Sequence, residues 1–156
     1  MRMVTRSRLL GLWVALLTTP VAWAASCTVT NSGISFGAYD PLSGQPRDTN
    51  AIIQNTCQGA LGENVSYSIS VAELSGNADL TLSNGSSRLQ YGLYLDIGRT
   101  VIWGNGLFGT STIQDSFSIG SAPVSKTYPV YGRIFGGQSS ATPGTYTDSL
   151  VITVAY

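Results

Sequence analysis

Apolar and polar residues alternate along most of this chain with a period of two. The clearest case sets Val65, Tyr67, Ile69 and Val71 against Ser66, Ser68 and Ser70. Successive side chains of an extended chain point to opposite faces, so the pattern predicts a strand with one buried side. The same phasing recurs at the end of the sequence, where Leu150, Ile152, Val154 and Tyr156 face one way and Ser149, Val151 and Thr153 the other. Shorter runs predict strands at 27–30, 34–36, 51–58, 80–82, 89–96, 101–103, 117–119 and 128–134. Turn residues punctuate them: a two-proline loop over 39–46, Asn84-Gly85, Gly104-Asn105-Gly106 and Pro143-Gly144. Strands recur at short intervals without an amphipathic helix of useful length between them. That spacing predicts an all-β antiparallel sandwich, closer to an immunoglobulin-like topology than to a barrel. The final strand is expected to need a neighbour from elsewhere in the fold or from another protein, because no later strand of its own chain follows it.

The first 24 residues read differently. Arg2, Arg6 and Arg8 precede an uncharged apolar run at 9–17, and Ala22-Trp23-Ala24 follows as a small-residue cleavage signature. This is the pattern of a secretory signal peptide, with a core shorter than the roughly 20 residues a membrane span needs. Cleavage is expected after Ala24, leaving one domain over 25–156, of 132 residues out of the 156. No internal repeat or linker divides it.

Export changes the meaning of composition. Without the three leader arginines, five basic residues face eight acidic ones, a net charge of −3. Nucleic acid and anionic membrane surfaces call for basic patches and are not expected partners. The only two cysteines, Cys27 and Cys57, both lie in the exported part. In an oxidising compartment an even pair predicts a disulfide, here closing a loop of about 30 residues and contributing roughly 3–4 kcal/mol.

Catalytic chemistry has little material. Histidine is absent, which removes the usual general base, the usual nucleophilic triads and most zinc sites. Asp40, Asp48, Glu63, Glu73, Asp79, Asp96, Asp115 and Asp148 are scattered and read as solvated loop acids and turn formers. No dinucleotide or phosphate-loop motif occurs. Neither an enzyme activity, a metal nor a cofactor is expected. Tyr39, Trp103, Phe108 and Phe135 sit beside glycine-rich turns, where aromatics either pack the turn or grip a ligand. Arg133 reads as a sheet-surface residue with a packed stem, or as a buried charge with a carboxylate partner.

Several short motifs keep a distinctive order: Phe36-Gly37-Ala38-Tyr39-Asp40-Pro41 after Cys27, then Cys57, Leu93-Tyr94, Trp103-Gly104-Asn105-Gly106, Tyr131-Gly132-Arg133-Ile134 with Gly137-Gln138, and Gly144-Thr145-Tyr146-Thr147-Asp148 before the last strand. Together they resemble the spore coat protein U family, over essentially the whole exported chain. That family is similar to the subunits of archaic, Csu-type chaperone-usher pili of Gram-negative bacteria. The resemblance implies an incomplete immunoglobulin-like sandwich completed by a donor strand. A periplasmic chaperone would fill the groove first and a neighbouring pilin subunit would replace it at the outer-membrane usher, carrying the chain through the periplasm to a pilus on the cell surface. Leu150, Ile152, Val154 and Tyr156 are the residues expected to face that groove.

Cleavage after Ala24 would leave Ala25 and Ser26 ahead of Cys27, about 7 Å of extended chain. A donor strand needs roughly 10 residues or more at about 3.3 Å each. The expectation is a subunit that accepts a strand without giving one, hence a tip or initiating position. Related tip proteins carry two domains where this chain carries one. For a surface or glycan ligand, the candidate loops are Ile102-Trp103 and Leu107-Phe108. The alternative reading is a self-complete secreted carbohydrate-binding or coat/matrix protein.

Overall fold

The computed structural model describes residues 25–72 and 80–156. The expected leader, with its cleavage site, and the carboxylates Glu73 and Asp79 lie outside the described residues. Among those described, the elements are eight strands: β1 (Ser26–Asn31), β2 (Arg47–Gln58), β3 (Asn64–Ala72), β4 (Leu80–Asn84), β5 (Ser87–Tyr94), β6 (Ile113–Ser118), β7 (Val124–Ile134) and β8 (Val151–Ala155). They form two antiparallel sheets of order β1-β2-β7-β5-β4 and β6-β3-β8. The architecture is the expected all-β, immunoglobulin-like sandwich.

The alternating sequence makes the core. On β3, Val65, Tyr67, Ile69 and Val71 are all buried, and on β2 the same holds for Ala51, Ile53, Asn55 and Cys57. Complete burial of Ile69 or Val71 contributes on the order of 1.5–3 kcal/mol each. Val130, Ile134, Tyr91 and Leu93 from the larger sheet meet them, with the Phe36 and Tyr91 rings packed edge to face. Cys27 and Cys57 are direct cross-strand partners and are joined by the expected disulfide, which ties β1 to β2.

One flank of the sandwich is closed by polar contacts. Tyr128 on β7 donates to Asp115 on β6 at 2.7 Å, and its hydroxyl also bonds that of Tyr67 on β3. On the outer face of the larger sheet, Arg133 makes two bonds of 2.7 and 2.8 Å to Asp48, its partner across β2–β7, and Arg99 approaches the same carboxylate at 3.3 Å. Arg133 is thus a surface residue with a carboxylate partner. On the β8 flank, β4 and the approach to β8 meet at one bridge, Ser83 with Thr147.

Several strand expectations need correction. Residues 34–36 form no strand, because Gly33 and Gly37 on either side take positive φ (68° and 69°) and break the extended path. Side chains hold the segment instead: Arg47 Nε donates to Phe36 O at 2.8 Å and Thr49 Oγ1 to Ser35 O at 2.8 Å. Ile34 and Phe36 then lie against Gly132, where a Cβ would come within 2.5 Å of Ile34 Cδ1. Residues 101–103 make only isolated bridges, Ile102 to Tyr94 and Trp103 to Ser111. The strand expected at 117–119 starts earlier, as β6, and stops before Ile119. In the β4–β5 hairpin Asn84 still pairs with Ser87, so Gly85 and Ser86 make the turn rather than Asn84 and Gly85.

Candidate functional site

Among the described residues β8 lies at the edge of its sheet, with β3 on one side. Neighbouring residues of an antiparallel strand send their N–H and C=O groups to opposite sides. On β3, Val71 gives its N–H to Gly104 O, and Glu63, just before the strand, accepts from Ile119 N. Odd-numbered residues of β3 therefore bond away from β8. Ser68, Ser70 and Ala72 bond toward it, and their register partners are Ala155, Thr153 and Val151. By the same alternation Ile152 and Val154 turn their N–H and C=O groups to the open edge.

Beside that edge a groove of about 1070 Å³ runs between two irregular segments, 33–41 and 141–150. Its floor is apolar: Ile53, Val71, Tyr91, Trp103, Val130 and Ile134 line it. Ile34 and Phe36 form one wall, and Leu150 and Ile152 form the other. Its volume is slightly above the roughly 300–1,000 Å³ of small-molecule pockets.

The residues expected at the groove separate into two sets. Leu150 and Ile152 are half-buried and line it, while Val154, also half-buried, packs on the core beyond its lining. Tyr156 is 64 % exposed and borders a different, shallow depression with Ser66, Tyr67 and Asp115. Its even position alone does not bring it to the groove, because β8 ends at Ala155 and the last residue leaves the ladder.

The loop expectation is corrected at one position. Trp103 is only 3 % exposed, and its indole Nε1 donates to Ile69 O at 3.3 Å. It is a core residue and part of the groove floor, so it offers no external surface. Ile102 is half-buried. Leu107 and Phe108 do stand out, at 58 % and 79 % exposed. Phe108 takes φ of 51°, uncommon for a bulky side chain. Local bonds hold the turn: Leu107 N donates to Asn105 Oδ1 at 2.9 Å and Thr110 Oγ1 to Leu107 O at 2.8 Å.

Sequence reasoning missed the groove's polar end. Tyr91, buried on β5, donates its hydroxyl to Asp148 Oδ2 at 2.7 Å. Burial, followed by the neighbouring carboxylate, pushes the Tyr91 hydroxyl well above the ordinary tyrosine range. Asp148 shares the even phase of Leu150 and Ile152, which turns it inward. Extending the alternation back by one step would have found it.

No curated protein sequence matches this chain. A family model for the spore coat protein U domain matches residues 13–153. With that match over most of its length, and with the sandwich and disulfide described above, the chain belongs to the spore coat protein U domain family, a family of structural pilus and coat proteins.

Proposed function

We propose that this chain is a structural subunit of a chaperone-usher type pilus that accepts a donor strand along β8. The carrying observation is the coincidence of two features on one flank: the open backbone edge at Ile152 and Val154, and the apolar groove beside it. Strand addition uses both, since main-chain bonds supply pairing and alternate side chains fill pockets. Ile34, Leu150 and Ile152 are only half-buried in this groove, and apolar surface left in water is unfavourable until something covers it. A periplasmic chaperone, then a neighbouring subunit delivered at the outer-membrane usher, would be the successive occupants.

The position in a fibre rests on processing. Ser26 already pairs with Gln58 in β1, and Ala25 N donates to Glu63 Oε1 at 3.1 Å. If cleavage follows Ala24, both remaining residues are held by the domain and nothing is left to donate, which supports a terminal position. Mass-spectrometric mapping of the mature N-terminus checks this; a start well upstream of Ala25 removes it. Leu107 and Phe108 are the residues proposed for contact with a surface or glycan ligand.

The groove reading is tested by titrating the purified protein with synthetic peptides of alternating Val and Thr. A rise in melting temperature that saturates with peptide is expected. An unchanged melting temperature, together with a stable monomer that needs no chaperone, would favour the self-complete carbohydrate-binding or coat/matrix protein instead.

A further inference from the structure

The groove is not uniformly apolar, and its one charged lining residue with a defined bond into the core is Asp148. Its Oδ2 accepts the Tyr91 hydroxyl at 2.7 Å and its Oδ1 accepts Ser149 N at 2.7 Å. A carboxylate has about four acceptor sites, so roughly two stay open to the groove. Among the described residues no cation pairs with it; both ion pairs there involve Asp48. Asp148 is exposed as the chain stands. An extended segment laid along β8 and on past Leu150 would remove water from that carboxylate, which is costly unless the segment brings a donor of its own.

From this we infer that the groove, with the β8 edge that continues it, selects an extended segment of another chain with Lys or Arg directly opposite Asp148 and apolar residues opposite Leu150, Ile152 and Val154. The inference rests on the strand-accepting function proposed above and adds its polar register. Residues directly opposite across paired strands share a face. The donor's inward side therefore reads apolar, apolar, apolar, basic, with each step spanning two residues, or about 7 Å. A long basic side chain suits the place, since its stem can cover apolar lining while the charge reaches the carboxylate at the groove mouth.

The test uses the full chain extended after Tyr156 by an Asn-Gly turn and a strand alternating Val and Thr. The hairpin fixes its direction as antiparallel to β8. Three versions carry Lys, Leu or Glu at the inward position opposite Asp148, each in the natural background and with Asp148→Asn, which keeps an acceptor for Tyr91. The Lys version is expected to melt roughly 2–5 °C above the Leu version and further above the Glu version. These gaps should shrink with Asp148→Asn and with added salt. If Leu matches or exceeds Lys in the natural background, or if Asp148→Asn leaves the gaps unchanged, the polar register is wrong while the groove reading stands. If no extension raises the melting temperature above that of the unextended chain, the groove reading falls, and this inference with it.

Discussion

Gly132 is where a single added carbon should disturb both stability and the groove. It lies on β7 with Ile34 and Phe36 packed directly over it. A Cβ there would sit 2.5 Å from Ile34 Cδ1 and 3.0 Å from two atoms of the Phe36 ring. Gly132 has no positive φ, so alanine fits the backbone and the cost is steric. Overpacking of this kind costs about 1–3 kcal/mol, and Ile34 can swing part of the way aside. Replacing glycine in a strand recovers about 0.5–1 kcal/mol of backbone entropy. The net expectation for Gly132→Ala is a loss of about 0.5–2 kcal/mol, or a melting temperature lower by roughly 2–8 °C. The displaced wall should also weaken the gain from an added donor peptide. Urea unfolding of Gly132→Ala, Ile34→Ala and the double variant measures the contact, with a coupling of at least about 0.5 kcal/mol expected because truncating Ile34 relieves the clash. A neutral or stabilising Gly132→Ala whose effect simply adds to that of Ile34→Ala would refute the packing argument.

Other consequences are more local. Tyr128→Phe removes the hydroxyl that bonds both Asp115 and Tyr67, and should cost about 1–2 kcal/mol in chemical denaturation. That hydroxyl is also the main cause of the lowered Asp115 pKa. A depressed folded-state pKa gives stability that is present above the unfolded value near 4 and lost as pH falls through the folded value. The variant should therefore show a smaller drop in melting temperature between pH 6 and strongly acidic pH than the natural chain; an equal drop argues against the coupling. Reduction of the Cys27–Cys57 bond, which spans a sequence separation of 30, should lower stability by about 3–4 kcal/mol, measured by denaturation with and without reductant.

How much of this was legible depended on whether the signal was local. β3 could be read directly, because four apolar residues alternating with serines leave only one face to bury. The disulfide followed from compartment and count. The segment 34–36 looked like a strand by composition, yet the positive φ at Gly33 and Gly37 turns its path, and its partner Gly132 lies far along the chain. Trp103, beside a glycine, reads either as turn packing or as part of a ligand-binding loop, so sequence alone leaves its place in the core open. Its burial follows from bonds that bring 102–104 across the sheet ends, Trp103 N to Leu93 O and Gly104 N to Ser111 O. Asp148 was read as a turn acid because its partner Tyr91 stands 57 residues earlier. Its phase with Leu150 was visible; its bond to the buried Tyr91 was not.

Residue-resolved amide hydrogen exchange shows whether β8 offers an unpaired edge to an incoming strand. In the isolated protein, Val151, Thr153 and Ala155 bond toward β3 and should exchange slowly, while Ile152 and Val154 should exchange rapidly. Adding the Val/Thr donor peptide should slow Ile152 and Val154 and leave the odd-numbered amides little changed. Protection of Ile152 and Val154 already in the isolated chain, or no change when peptide binds, would mean that β8 does not receive a strand along this edge.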